Sequence, residues 1–249
     1  MRHPTIVWRA AMQVARGLTG LLSRLEITGQ VGGEKPLIVA SNHISPFDPI
    51  VLTAACRVRG LDPVFLAHAG PFETPVMGAF LRHSGHVRVD RGTPNAPHAL
   101  EGARQALAAG RAVAIYPEGR ISRDPGLWPE RGKTGVGRLA IATGAPVIPV
   151  AVWGAHEIVP FDAPRGMWPL IWRSLTRRPV VKVHFGQPVD TSDVDPATPG
   201  AAQRITDRVT EAIIDCLAPL RASEPDQPRF IDPTRVTETR RSYRRKQPS

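Results

Sequence analysis

With 249 residues, 42% of them hydrophobic and 22% charged, the chain can bury a sizeable core and reads as one globular domain with appendages. A formal net charge of +10 and a pI near 10.8 imply an anionic partner: nucleic acid, an anionic membrane surface or a phosphorylated substrate. Only two cysteines, Cys56 and Cys216, exclude a disulfide scaffold and a zinc site of the usual spacing, and point to a reducing compartment.

Residues 5–26 carry helical periodicity, with Val7, Ala11, Val14, Leu18, Leu21, Leu22 and Leu25 on one stripe and Arg9, Gln13, Arg16 and Ser23 largely off it. Such a helix either packs on a core or lies flat on a membrane with its arginines toward headgroups. Arg9, Arg16 and Arg24 interrupt the apolar segment, so neither a membrane span nor a secretory leader is expected. A turn over residues 29–35 precedes a buried strand over 36–41. The helical run Ile50–Cys56 follows, then a strand at 64–67, a short helix at 71–82 and an alternating strand over 85–91.

A loop at 92–97 leads to a helix at 98–109, a buried strand at 112–116, a polar loop at 122–131 and a helix at 135–143. A strand over 146–153 contains Pro149, which argues for an edge or an irregular, site-lining position. The last strand is 180–185 and the last long helix 199–220. Strands alternating with helices predict an α/β fold: a two-layer or sandwiched sheet, mixed but largely parallel, flanked by helices and preceded by an N-terminal amphipathic helix. Three parts are expected: an amphipathic segment 1–28, a catalytic domain 29–220, and a basic tail 221–249 too poor in apolar surface to order itself. Around residues 166–172, Trp168 and Trp172 stand among Arg165, Arg173, Arg177 and Arg178. They read either as an interfacial patch or as core tryptophans beside solvated arginines.

The most informative stretch is Ser41-Asn42-His43-Ile44-Ser45-Pro46-Phe47-Asp48-Pro49, between the end of the first buried strand and a helix start. Imidazole exchanges a proton near neutral pH, and a neighbouring carboxylate fixes its tautomer. The same residues also suit a plain helix start, with Asp48 capping and Pro49 at N1. Arg91 ends a strand, as suits bidentate binding of a phosphate, and Glu118 with Gly119 ends another in a tight turn. Each also reads as an ordinary surface or turn residue.

Taken in order, these segments resemble the glycerolipid acyltransferase family that includes the 1-acylglycerol-3-phosphate acyltransferases. Four blocks carry the resemblance: His43-x4-Asp48 after Asn42; Gly85 to Arg91; Tyr116-Pro117-Glu118-Gly119-Arg120; and Ala145-Pro146-Val147-Ile148-Pro149-Val150. Lys133-Thr134-Gly135 and Phe185-Gly186-Gln187-Pro188 also fit, and the likeness covers roughly residues 35–190. Arg120 stands where threonine is common, and Arg88 where an apolar residue is expected, its side chain turned away from the face of Arg91 by strand alternation.

The resemblance implies acyl transfer from acyl-CoA or acyl-ACP to the sn-2 hydroxyl of lysophosphatidate, with His43 as general base and Asp48 orienting it. It assigns acceptor binding to Arg91, Glu118 and Gly119, adds Lys133 and Arg120 to the substrate-binding set, and puts Pro149 along the acyl path. It implies no cofactor and no metal, and work at the cytoplasmic face of a membrane as a peripheral protein. Ser45 reads as a turn hydroxyl. Another lysophospholipid or amphiphile is the alternative acceptor. A nucleic-acid binder without catalysis lacks support, because no stacking-aromatic motif, helix-turn-helix signature or zinc spacing is present. A metal hydrolase using His43, Asp48 and Glu118 matches no standard ligand spacing.

Overall fold

Thr5 opens the first helix by accepting the Trp8 N–H, and α1 (Ile6–Leu22) then buries Trp8, Met12, Ala15, Thr19 and Leu22. The computed structural model describes residues 5–32, 36–90, 96–161 and 167–223. The stripe picked from the sequence is not the buried one: Val7, Val14, Leu18 and Leu21 lie exposed beside it. Helix α1 therefore has two apolar faces, and periodicity alone could not rank them.

The expected helix to residue 26 is corrected. Ser23 turns extended, tied to Thr19 O by its N–H and its hydroxyl, and residues Arg24–Thr28 form strand β1. Leu25 satisfies both a helical and an alternating period, and the pairing with a distant strand decides between them.

Strands β2 (Ile38–Ser41), β3 (Val64–His68), β4 (Val87–Val89), β5 (Val113–Ile115), β6 (Val147–Trp153) and β7 (Val180–Phe185) complete a seven-stranded sheet ordered β1-β7-β6-β2-β5-β3-β4. Every neighbouring pair is parallel except β6 with β7. Successive residues of the central strands face opposite sides, which is why those strands are apolar throughout. Val39, Phe65 and Ala114 pack on the side of α1 and α2 (Asp48–Val58). Ile38, Val64 and Val113 pack on the other side, against α5 (Ala96–Ala108), α6 (Gly135–Thr143) and α9 (Ala201–Leu220). The fold is a sandwiched, largely parallel sheet with helices on both faces.

Between β3 and β4 the expected single helix divides into α3 (Ala69–Glu73) and α4 (Pro75–His83), because Thr74 is held extended ahead of Pro75. After β6, two further helices appear that the sequence did not announce: α7 (Ala155–Ile158) and α8 (Met167–Arg177). Pro149 lies in β6, in the middle of the sheet rather than at an edge. It is tolerated there because β7 ends one residue earlier, where Phe185 pairs with Val150, and Gly186 still donates to the Pro149 carbonyl. A side chain on Gly186 would collide with the Pro149 ring and Cys216 Sγ. The tail from residue 224 onward lies outside the described residues.

Candidate active site

Asn42 follows the end of β2 and substitutes a side chain for a backbone ladder. Its Nδ2 donates to Val152 O at 2.9 Å, and its Oδ1 accepts from Val152 N at 2.8 Å. With the strand end pinned, the next residue leaves the sheet in a fixed direction. Nδ1–H of His43 donates to Asp48 Oδ2 at 2.8 Å, and the same oxygen accepts the N–H groups of Ile44 and Ser45 at 2.6 and 2.7 Å. Asp48 is fully buried while the His43 side chain is 15% exposed. The carboxylate is thus immobilised, and it dictates which imidazole nitrogen carries the proton, leaving Nε2 to accept another.

The Tyr116 ring stacks on His43 with centroids 4.1 Å apart and planes 18° from parallel. Burial, and secondarily the Asp48 charge, pushes the Tyr116 phenol well above its ordinary range, so it stays neutral. Ser45 is a turn hydroxyl, donating to Val159 O at 2.7 Å and accepting the Phe47 N–H at 2.9 Å.

Glu118 faces inward. Its Oε1 accepts the His43 N–H at 3.1 Å and its Oε2 the Glu130 N–H at 2.9 Å, so the carboxyl ties the segment that carries the imidazole to the loop around Glu130. Burial raises this carboxyl well above the usual carboxylate range, against the pull of those two N–H donors. Gly119, at φ +69°, lets the chain turn past Lys133. Arg120 is held by Glu130 Oε2 at 3.0 and 2.7 Å. Arg88 points to Asp90 and Glu73 on the surface. Arg91 lies outside the described residues.

His43, Gly119, Arg120 and Lys133 line one cavity of about 1350 Å³, which neither Glu118 nor Pro149 lines. Most of its wall is apolar, supplied by Ile50, Phe65, Phe80 and Leu100 and, from α1, Ala11 and Leu18. Arg123 and Arg138 line the cavity as Lys133 does. Sequence reasoning passed over both arginines, and also Tyr116 as a stacking partner, although Tyr116 ends a strand directly before Pro-Glu-Gly. Among the described residues no three His, Cys, Asp or Glu side chains group as metal ligands do.

An oriented imidazole at a strand end, opening on a lipid-sized cavity with cations in its lining, sits on a fold that can be recognised. The model of the family Acyltransferase matches residues 23–153, more than half of the chain, and the protein belongs to that family. Among its relatives is the 1-acyl-sn-glycerol-3-phosphate acyltransferase of Limnanthes douglasii, 29% identical over 179 residues, covering 68% of this chain and 56% of the relative. The enzyme of the same name from Borreliella burgdorferi is 27% identical over 157 residues, 61% of this chain and 59% of the relative. The chain therefore spans little more than half the length of these curated relatives. The crystal structure of the 1-acyl-sn-glycerophosphate (LPA) acyltransferase PlsC from Thermotoga maritima shares the fold, with a TM-score of 0.60 at 21% identity over 84% of this chain and 78% of that one.

Proposed function

We propose that this chain transfers a fatty acyl group from a thioester, acyl-CoA or acyl-ACP, to the sn-2 hydroxyl of lysophosphatidate, giving phosphatidate. The observation that carries the reading is His43, oriented by Asp48 and opening on an apolar cavity with cations on its wall. His43 Nε2 takes the proton of the acceptor hydroxyl as the oxygen attacks the thioester carbonyl. The tetrahedral adduct collapses, the C–S bond breaks, and the thiolate recovers that proton from the imidazolium. Asp48 stabilises the imidazolium while it lasts. No protein nucleophile is required.

Lys133, Arg123 and Arg138 are the cations on the cavity wall suited to the acceptor phosphate, and the family resemblance adds Arg91. Glu118 and Pro149 act through the scaffold in this reading: Glu118 holds the His43 loop and Pro149 shapes β6. Purified protein, given radiolabelled acyl-CoA and acyl-ACP with a panel of lysolipids, should form phosphatidate from lysophosphatidate and much less product from acceptors without a phosphate. Equal product from neutral monoacylglycerol would redirect the proposal to another acceptor.

Lipid substrates require contact with a bilayer surface, and no described helix is long and apolar enough to cross one. The exposed stripe of α1 is one contact, since Val14 and Leu18 belong to both the surface and the cavity wall. Helix α8 is the other. Trp168 and Trp172 are 79% and 74% exposed, which removes the core reading of these two residues, while Ile171 and Leu175 pack inward. Arg173 and Arg177, also exposed, supply charge for anionic headgroups. Replacing both tryptophans by alanine should weaken co-sedimentation with anionic vesicles about tenfold. Unchanged binding would take α8 out of the interface.

A further inference from the structure

Two residues that line the cavity, Trp8 and His86, each carry a ring N–H that has no part in the reaction. His86 directly precedes β4 and stands level with Phe65 of β3 and Ala114 of β5. Strand spacing places its backbone two strands across and two residues back from Tyr116, about 12 Å from the residue that stacks on His43. His86 Nδ1 accepts the Phe65 N–H at 3.0 Å, so the ring proton sits on Nε2. Burial, with the Arg111 charge as the lesser cause, pushes this imidazole down to about 3, so the ring is neutral and keeps that tautomer at neutral pH.

Trp8 meets the same ring edge to face, with centroids 4.4 Å apart and planes at 87°. Trp8 is 4% exposed and His86 8%. The indole Nε1–H has no acceptor among the described residues, and its other ring neighbours, Phe65 and Phe80, carry no oxygen. Both Trp8 and His86 line the cavity. A buried N–H without an acceptor is uncommon and costly, and it calls for an explanation.

We infer that Trp8 and His86 form a polar subsite in the wall of the lipid cavity, taking a hydrogen-bond-accepting oxygen carried on a lipid chain. This rests on the reading of the cavity as the place where lipid chains lie. Two chains could bring such an oxygen. The transferred acyl chain would carry it as a hydroxyl or oxo substituent some distance from the thioester. The acceptor would carry it as the ester carbonyl of the chain already attached. In either case the subsite makes the enzyme discriminate between chains of equal length by one oxygen.

The test compares kcat/KM ratios in the full-length protein. One arm sets plain palmitoyl-CoA against palmitoyl-CoA hydroxylated near the thioester, in mid-chain or near the terminus. The other sets 1-acyl against 1-alkyl lysophosphatidate, whose ether lacks the carbonyl. One arm should show roughly a tenfold preference for the oxygen-bearing chain, the size expected when a buried donor gains a partner. Trp8→Phe, which removes the N–H and keeps an aromatic ring, should bring that ratio toward one. The arm that responds identifies the chain concerned. Wild-type ratios below about twofold in both arms overturn the inference, and so does a ratio that Trp8→Phe leaves unchanged. The wild-type ratios decide alone if Trp8→Phe does not fold. If the protein acylates no lysolipid, the functional reading fails separately. Calorimetric binding of mid-chain hydroxylated against plain palmitate, and of acyl against alkyl lysophosphatidate, then tests the subsite by the same ratios, equal affinities in both pairs counting against it.

Discussion

His43→Ala is expected to lower kcat/KM for acyl transfer by roughly 10³-fold or more while the protein stays folded. General-base catalysis contributes on the order of 10²–10⁴-fold, and His43 is the imidazole on the cavity wall that the buried Asp48 carboxylate orients. The fold should survive because what His43 gives the scaffold comes from its backbone. Its N–H donates to Glu118 and its carbonyl accepts the Ser122 N–H at 2.7 Å, and alanine retains both. Asp48 loses one donor of three and keeps Ile44 and Ser45. Asp48→Asn should leave a comparable activity defect, since a neutral amide cannot stabilise the imidazolium. Steady-state kinetics beside a thermal melt checks both variants. A folded His43→Ala protein with near wild-type turnover would remove the proposed mechanism altogether.

Gly137→Ala should destabilise the protein by about 3 kcal/mol or more, unusually much for one added methyl group. At Gly137, α6 crosses α9 so closely that a Cβ would lie 2.0 Å from the Ala202 carbonyl oxygen, a backbone atom that cannot swing away. The contact is also bonded, with Gly137 N–H donating to Thr206 Oγ1 at 3.3 Å. Separating the helices breaks this bond and opens the core around Val136, Leu139, Ile205 and Val209. The melting midpoint should fall by about 10 °C, taking roughly 3 °C per kcal/mol for a domain of this size. Helix α6 also follows Lys133 and carries Arg138, so KM for the phosphate-bearing acceptor should rise more than kcat falls. A melt that does not move would mean the crossing is far more compliant than its spacing indicates.

The sequence reveals best what is local. Strands β2, β5 and β6 are legible because, buried on both faces, they are written as uninterrupted apolar runs. The pairing of His43 with Asp48 is legible because five positions separate the two and one turn brings them together. What depends on distant neighbours is not legible in this way. Leu25 fits either period, and only β7, far along the chain, makes residues 24–28 a strand. Glu118 after a strand reads the same whether it faces a ligand or two backbone N–H groups; the Glu130 amide settles its direction. Arg123, Arg138, Trp8 and His86 come from four separate segments and line one cavity only through packing. A proline normally forfeits a ladder bond, so Pro149 argues for an edge or an irregular, site-lining position, yet here it lies within the sheet and the neighbouring strand stops where that bond would have been.

The outermost strand carries a consequence for assembly. Thr28 Oγ1 and His184 Nδ1 lie 2.8 Å apart although 156 positions separate them, and among the described residues β7 is the one strand that pairs with β1. Closing so wide a loop is slow, so this margin should zip up late, after the β2–β5–β3 centre has formed. On a ribosome, β1 would wait unpaired until the chain had emerged as far as Phe185, with the greasy side of α1 already available to a bilayer. Cutting the gene upstream of β7 would therefore orphan both ends at once, and split-protein reconstitution should favour fragments that exchange β1 and β7 between them.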